Sequence, residues 1–482
     1  MRRKRQILGL LVMLVLLGSC TAAYLRPDPK TGMSDDLTIS IPGQADPAAV
    51  RQSQQEHPKI LAAYGGAYTA PRLKKFISQM AKRLVAASPN PSQSYRVTIL
   101  NSPNVNAFAL PGGFLYVTRG LLALANDSSE LAAVIAHEMA HVTANHAEQR
   151  AVRQAGADIV KEVVADVLTG DNSVTLETSQ LTLAQFNQNQ EFEADQVGIR
   201  TIAQAGYDPF ASARFLQSMR RFADFRSNRA AAEGDFLSSH PSTPKRIEAA
   251  VLAARALAEP GSGDTGRVAY LSAINGLVYG DDPQQGYAKG RDFIHPELGF
   301  QFSVPDGFVI ENSRSAVIAR GPGRLVIRFD AIKIASGMSL TDYIRSGWVN
   351  GLQGDSVVAA QFNGNDAATA IAEADGWSYR IAVIRLGNNA YRFLAASDRD
   401  SAQLDQILSI TANSFDRLSL VGKALAKPLR IKVVKISGDT TPRSVARQMV
   451  GVNRKNQLFE VLNGLAAETP LKAGDRVKVI AD

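Results

Sequence analysis

The pentapeptide His137-Glu138-Met139-Ala140-His141 constrains this chain more than any other feature. It lies in a stretch that reads as a helix. Asp127-Ser128-Ser129-Glu130 precedes it as a capping box, with Asp127 at the N-cap and Glu130 at N3. Leu131, Val134, Ile135 and Val142 form an apolar stripe, and neither Pro nor Gly interrupts Leu131–Arg150. Side chains at i and i+4 stand one turn apart on one helix face. The two imidazoles can therefore share one metal ion, while Glu138, at the edge of that face, can take a proton from a water beside it. A helix with only a structural role would leave two half-buried imidazoles among apolar neighbours without partners. The fold must therefore bury this helix and bring a second element to its polar face.

That second element has to supply a further ligand. His146 is close in sequence, but at 100° per residue it points to the side of the helix opposite His137, which predicts a surface position or one a layer outside the ligands. The extended metzincin pattern is excluded, because it needs Gly and His where Ala144 and Ala147 stand. Glu191-Phe192-Glu193-Ala194-Asp195 opens a second predicted helix, Gln190–Ala205. Glu191 and Asp195 share a face, so one can ligate while the other accepts a hydrogen bond from a ligating imidazole. An exposed acidic helix start, favoured by the helix dipole, would show the same residues. Glu193 is expected to point away into solvent.

Taken together, these two segments resemble the HtpX-like and BepA-like zinc metallopeptidases, which are gluzincins distantly related to the CAAX prenyl protease. The resemblance covers residues 48–255. It extends to Asn106–Gly113 and Phe114–Gly120 before the zinc helix, and to Ser239-His240-Pro241 with Arg246 after it. It implies one zinc ion per chain held by His137, His141 and Glu191, with Glu138 as general base and proton donor. It also implies that Asp195 supports the ligands, that His240 faces the site to stabilise an oxyanion or cap the resting zinc, and that Arg246 anchors the His240 loop. The segment around Asn106 would present a sheet edge over the site. Arginine often precedes the third ligand in this family, whereas here the approach reads Phe186-Asn187-Gln188-Asn189-Gln190.

The 482 residues are too many for one core. The formal charge is +8, but Arg2, Arg3, Lys4 and Arg5 supply half of it, so nothing points to nucleic acid. Residues 1–19 combine that basic start with an apolar run, Ile7–Leu17, which is too short to span a membrane and reads as a lipoprotein signal peptide. Leu17-Gly18-Ser19-Cys20 resembles a lipobox, and it predicts lipidation of Cys20 with Thr21 favouring the outer membrane. Cys20 is the only cysteine, so the chain can form no intrachain disulfide.

The predicted architecture is α+β. Residues 20–47 form a flexible tether, 48–258 a mainly helical peptidase domain with a small sheet, and 259–292 a linker. Residues 293–420 form an accessory domain with an antiparallel sheet. Glu148–Gln190 reads as an insert able to act as a lid. Residues 428–482 stand apart, with strands at Arg430–Val434 and Arg476–Ile480 bracketing two short helices. This last segment resembles a LysM domain, a βααβ unit that binds peptidoglycan glycans, although Thr441 replaces the usual leucine. The resulting expectation is a zinc metalloendopeptidase of a bacterial envelope, a lipoprotein facing the periplasm and anchored in the outer membrane. Its substrates would be misfolded or stalled envelope proteins. Two alternatives are a chaperone-like assembly factor with an occluded zinc site and a peptidoglycan-bound structural lipoprotein.

Overall fold

The computed structural model describes residues 47–146, 149, 187–226, 236, 240–312, 316–335, 337–398, 402–425, 427–466 and 468–482. The expected signal peptide, Cys20, all but the last residue of the expected tether and most of the candidate lid fall outside the described residues. Among those described, no helix is long and apolar enough to cross a membrane. Helix and sheet are mixed, in keeping with an α+β chain. Residues 47–326 and 409–482 form one compact unit, and residues 327–408 form a second.

The first unit opens with α1 (Pro47–Ala63), which runs through Pro58 without a break, and α2 (Pro71–Ala87). Pro71 suits the first turn of α2, where its missing N–H has no partner to lose. Leu73, Ile77, Met80, Ala81 and Leu84 recur at helical spacing and are buried. A small sheet follows, built from β1 (Arg96–Leu100), β2 (Ala107–Leu110) and β3 (Phe114–Thr118) in the order β1-β3-β2. β3 pairs parallel with β1 and antiparallel with β2, which leaves β2 as an edge. Gly113 closes the β2–β3 turn at φ 89°, where a Cβ would collide with the Ser94 carbonyl.

α3 (Arg119–Leu124) and α4 (Ser128–Thr143) come next, then α5 (Gln188–Gln204), α6 (Ala211–Arg226), α7 (Pro244–Arg255) and α8 (Arg267–Ile274). Asp127 caps α4 as expected, accepting the Glu130 N–H at 2.8 Å. The reciprocal bond is displaced by one residue, because Glu130 Oε2 accepts from Asn126 N rather than from the N-cap amide. α4 also ends earlier than its composition suggested. It stops at Thr143, and Asn145 turns the chain at φ 53°.

β4 (Tyr287–Lys289), β5 (Asp292–His295) and β6 (Phe300–Ser303) form an antiparallel group, and β7 (Val309–Asn312) pairs with β8 (Val317–Arg320). In the second unit, β9 (Val326–Lys333) is followed by α9 (Leu340–Arg345). Strands β10 (Val358–Phe362), β11 (Asn365–Ala374), β12 (Trp377–Leu386) and β13 (Asn389–Ser397) then lie in the order β10-β11-β12-β13-β9. α9 buries Leu340, Tyr343 and Ile344 with Ala368, Ile381 and Val383 of the sheet. α10 (Leu404–Asn413), β14 (Asp416–Arg417, paired with β6) and α11 (Leu420–Leu425) lead onward.

The C-terminal segment has the expected order: β15 (Arg430–Lys435), α12 (Pro442–Ala446), α13 (Lys455–Asn463) and β16 (Arg476–Ala481), with β15 and β16 antiparallel. It does not stand apart, however. Ile431, Leu458, Phe459, Val477 and Ile480 share one hydrophobic core with Ile77, Leu121 and Ile135. Nor is the expected linker a break in packing. α8 buries Tyr270, whose hydroxyl donates to Leu122 O at 2.6 Å. Residues 276–279 then bond β15 and the residue before it, through Gly276 N to Ile431 O (2.8 Å) and Tyr279 N to Leu429 O (2.7 Å).

Lys478 makes the most consequential contact. It is fully buried, and its Nζ donates to the carbonyls of Ala123, Leu124 and Ala125 at 2.8, 3.2 and 2.7 Å. A helix leaves its last carbonyls without intrahelical partners, and a lysine from a distant strand supplies donors for those at the end of α3. Replacing Lys478 with Met strands these acceptors, each at about 1–3 kcal/mol. The Lys478→Met chain is expected to lose at least about 2 kcal/mol in chemical denaturation. An unchanged midpoint and slope would show that the cap is dispensable.

Candidate metal centre

Two helices and one loop build the site. α4 carries His137, Glu138 and His141 on a single buried face. α5 starts with a capping box: Asn187 accepts from Gln190 N, and the Gln190 side chain accepts from Asn187 N. That start places Glu191 in the first turn and Asp195 in the next. α4 and α5 approach closely at Gly198, where a Cβ would lie 3.2 Å from His137 N. The loop contributes His240, whose amide donates to Phe236 O at 2.8 Å and whose ring stacks on Phe236 at 4.5 Å between centroids. Phe236 N in turn donates to Val105 O at 2.9 Å, ahead of β2.

These elements bring His137, His141, Glu191 and His240 together, with one donor atom from each lying within 4.8 Å of the others, and all four are buried. His137 Nε2 lies 3.0 Å from His141 Nε2 and 3.3 Å from His240 Nδ1. Glu191 Oε1 lies 2.8 Å from His240 Nδ1 and 3.4 Å from His141 Nε2. The other nitrogen of His137, Nδ1, is 3.0 Å from Asp195 Oδ1. Arg246 is almost fully buried and holds three partners. It donates to both oxygens of Asp195 at 2.8 Å, to Pro241 O at 3.0 Å, and pairs with Glu191 Oε2 at 2.6 Å. One guanidinium thus bridges the loop backbone and both carboxylates.

The electrostatics follow from packing charges this closely. Burial opposes ionisation of Glu191, but hydrogen bonds from His137, His141 and His240 hold its carboxyl far below the usual range. Burial likewise opposes a charge on His137, yet Asp195 and Glu191 lift it to about 10. The pKa of His141 is pushed well down, first by burial and then by the neighbouring His137 and His240. Burial raises the pKa of Glu138. Its Oε1 is buried, and among the described residues no hydrogen bond reaches it; His240 Nε2 is 3.6 Å away.

Three imidazoles and one carboxylate at this spacing fit a single zinc ion, which favours four nitrogen and oxygen donors in a tetrahedron. Apposed ring nitrogens are also more readily explained by a shared cation than by hydrogen bonds alone. Asp195 is placed to fix the His137 tautomer, leaving Nε2 for the metal. His146 takes the second of its two expected positions, one layer outside the ligands, although not by pointing away from His137. It is fully buried, with Nδ1 2.8 Å from His141 Nδ1, because α4 has already ended and helical periodicity no longer sets its direction. Glu193 is exposed as expected, yet its Oε2 lies 3.3 Å from His146 Nε2. Sequence reasoning assigned no role to Phe236 or Gly198, and a lone Phe and a helical Gly carry no signal of their own.

Residues 69–253 match the profile of peptidase family M48. The chain is 34% identical over 203 residues to the mitochondrial metalloendopeptidase OMA1 of Schizosaccharomyces pombe, covering 41% of this chain and 58% of that protein. It is 32% identical over 174 residues to OMA1 of Arabidopsis thaliana, covering 36% and 34%. It is 28% identical over 241 residues to the beta-barrel assembly-enhancing protease of Yersinia pestis, covering 48% and 47%. The chain spans about half the length of the curated relatives it matches. It carries a peptidase family M48 domain of the gluzincin type, and the His137, His141, Glu191, His240 cluster lies within it.

The geometry separates the two neighbouring glutamates. Glu191→Ala should leave the purified chain without its equivalent of zinc, whereas Glu193→Ala should still bind one ion per chain when zinc is in excess. Elemental analysis of both variants decides this, and equal stoichiometry would misassign the ligand.

Proposed function

We propose that this chain is a zinc-dependent metalloendopeptidase acting on envelope proteins. The observation that carries the reading is the buried four-residue donor cluster with Glu138 beside it, whose Oε1 accepts no hydrogen bond among the described residues. His137, His141 and Glu191 are the proposed ligands, and Asp195 and Arg246 hold them in place. When bound, the zinc ion polarises the scissile carbonyl and acidifies the attacking water. Glu138 receives the water proton and returns it to the leaving amine; burial raises its affinity for that proton. An extended substrate can add a strand to the edge of β2, which has no other strand on it among the described residues and packs against α4. Backbone pairing of this kind favours broad sequence selectivity. Misfolded or stalled periplasmic and outer-membrane proteins are the proposed substrates, a reading supported by the name of the assembly-enhancing relative.

One observation favours a capped resting state. His240 is a donor in the same cluster, with Nδ1 2.8 Å from Glu191 Oε1. As a fourth protein donor, His240 would fill the position that a catalytic zinc keeps open. This supports His240 as a cap that withdraws when substrate enters. An assembly factor that cuts rarely would share the same arrangement.

In a casein-cleavage assay, Glu138→Gln is expected to keep zinc and lose at least ~10²–10⁴-fold in rate, the share of a general base. His240→Ala is expected to keep zinc and raise basal cleavage. Wild-type turnover in the glutamine variant would end the mechanism, and unchanged kinetics in the alanine variant would end the cap.

Anchoring through Cys20 and peptidoglycan binding through residues 428–482 complete the reading. Its support is the sequence at Cys20 and the β15-α12-α13-β16 order. Cys20→Ala should stop labelled palmitate incorporation and release the chain from membranes, while its sedimentation with purified sacculi persists. Labelling of both forms, or of neither, would refute the anchor, and failure to sediment with sacculi would refute glycan binding.

A further inference from the structure

α4 ends at Thr143, and Asn145, at φ 53°, turns the chain back towards the site. The turn delivers His146 into complete burial behind His141. The two rings meet through their Nδ1 atoms at 2.8 Å and lie 69° apart. On its far side, His146 Nε2 lies 3.3 Å from Glu193 Oε2. The backbone is fixed as well, since Gln190 Nε2 donates to His146 O at 3.4 Å. Gln190 belongs to the capping box that starts α5, so one residue ties the position of His146 to that of Glu191.

We propose that His146 is a positioning residue that sets the tautomer of His141, with Glu193 setting the tautomer of His146. The proposal rests on the reading of His141 as a metal ligand through Nε2. A neutral imidazole ligating through Nε2 must carry its proton on Nδ1. That proton needs an acceptor, and the atom facing it is His146 Nδ1. For Nδ1 to accept, His146 must carry its own proton on Nε2, where the Glu193 carboxylate receives it. The chain Glu193–His146–His141 thus runs in one direction, with each donor facing an acceptor. Asp195 does for His137 in one step what Glu193 and His146 do for His141 in two. Groups that orient ligating histidines in this way typically contribute 10–100-fold to metal affinity. Glu193 is solvent-facing, so the buried ring of His146 carries most of the effect.

The test measures zinc affinity of the full chain by competition with a chelator, together with the visible spectrum of the cobalt(II)-substituted protein. His146→Leu, which offers no acceptor, is expected to bind zinc about 10–100-fold more weakly and to alter the cobalt bands. His146→Asn places a carbonyl oxygen near the original Nδ1 and is expected to restore affinity to within a few-fold and the spectrum to its wild-type form. Independently of any variant, ¹⁵N-histidine correlation spectra of the zinc-loaded wild type should show His146 protonated at Nε2 alone and His141 at Nδ1. Wild-type affinity in His146→Leu overturns the proposal, as does a proton on His146 Nδ1 or an asparagine variant no better than leucine. A wild-type chain that binds no zinc overturns the metal reading itself, and this proposal with it.

Discussion

The close packing of α4 on α5 at Gly198 is the contact on which the site depends. A Cβ there would lie 3.2 Å from His137 N, so the two backbones would have to give by a few tenths of an ångström. Because the helices touch, carboxylates one turn apart on α5 meet imidazoles one turn apart on α4. The cost is a concentration of charge out of water. Burying carboxylates is expensive unless each is paired, and removing one partner of a buried pair costs far more than the pair contributes. Arg246 answers that constraint, spanning Asp195, Glu191 and the Pro241 carbonyl from the start of α7. The loop carrying His240 is thereby tied to the carboxylates it faces.

The same principle recurs at the other end of α4. Asp127, Asp208 and Glu130 gather around Arg214, and Glu130 is buried deeply enough for its pKa to rise to about 7, chiefly through desolvation. Lys478 reaches this region from β16 and is itself held well below a free lysine's pKa by burial. Both ends of the zinc helix therefore rest on ionic groups supplied by segments distant in sequence. The apolar core positions the helices broadly, and these polar contacts fix their ends.

The site was more legible than the frame around it. His137, Glu138 and His141 are consecutive-turn residues on one helix, so local periodicity was enough to place them. Glu191 and Asp195 obey the same rule on their own helix, but nothing local says that the two helices meet. Only the resemblance to a known family connected them. His146 shows where periodicity misleads, since the rule holds only while the helix continues. Neither Ala144 nor Asn145 forced the stop strongly enough to be read from sequence. The βααβ order of residues 430–481 was visible because strand and turn signals are local. Its union with the peptidase core was not, because it rests on a shared apolar core and on Lys478, one of two basic residues that alternate on β16. Exposed and buried lysines are identical as letters.

The Lys478 cap also imposes an order in time. Ribosomes add residues in sequence at roughly 5–20 per second, so α3 and α4 exist long before the strand that closes over them. Until β16 has been made and has paired with β15, the α3 carbonyls must be satisfied by water, and the core surface that Phe459 and Ile480 cover stays wet. Contacts between residues so far apart also form late, because their loop-closure entropy is paid before they return anything. The metal helix consequently reaches its final setting only after nearly all of the described chain has been synthesised.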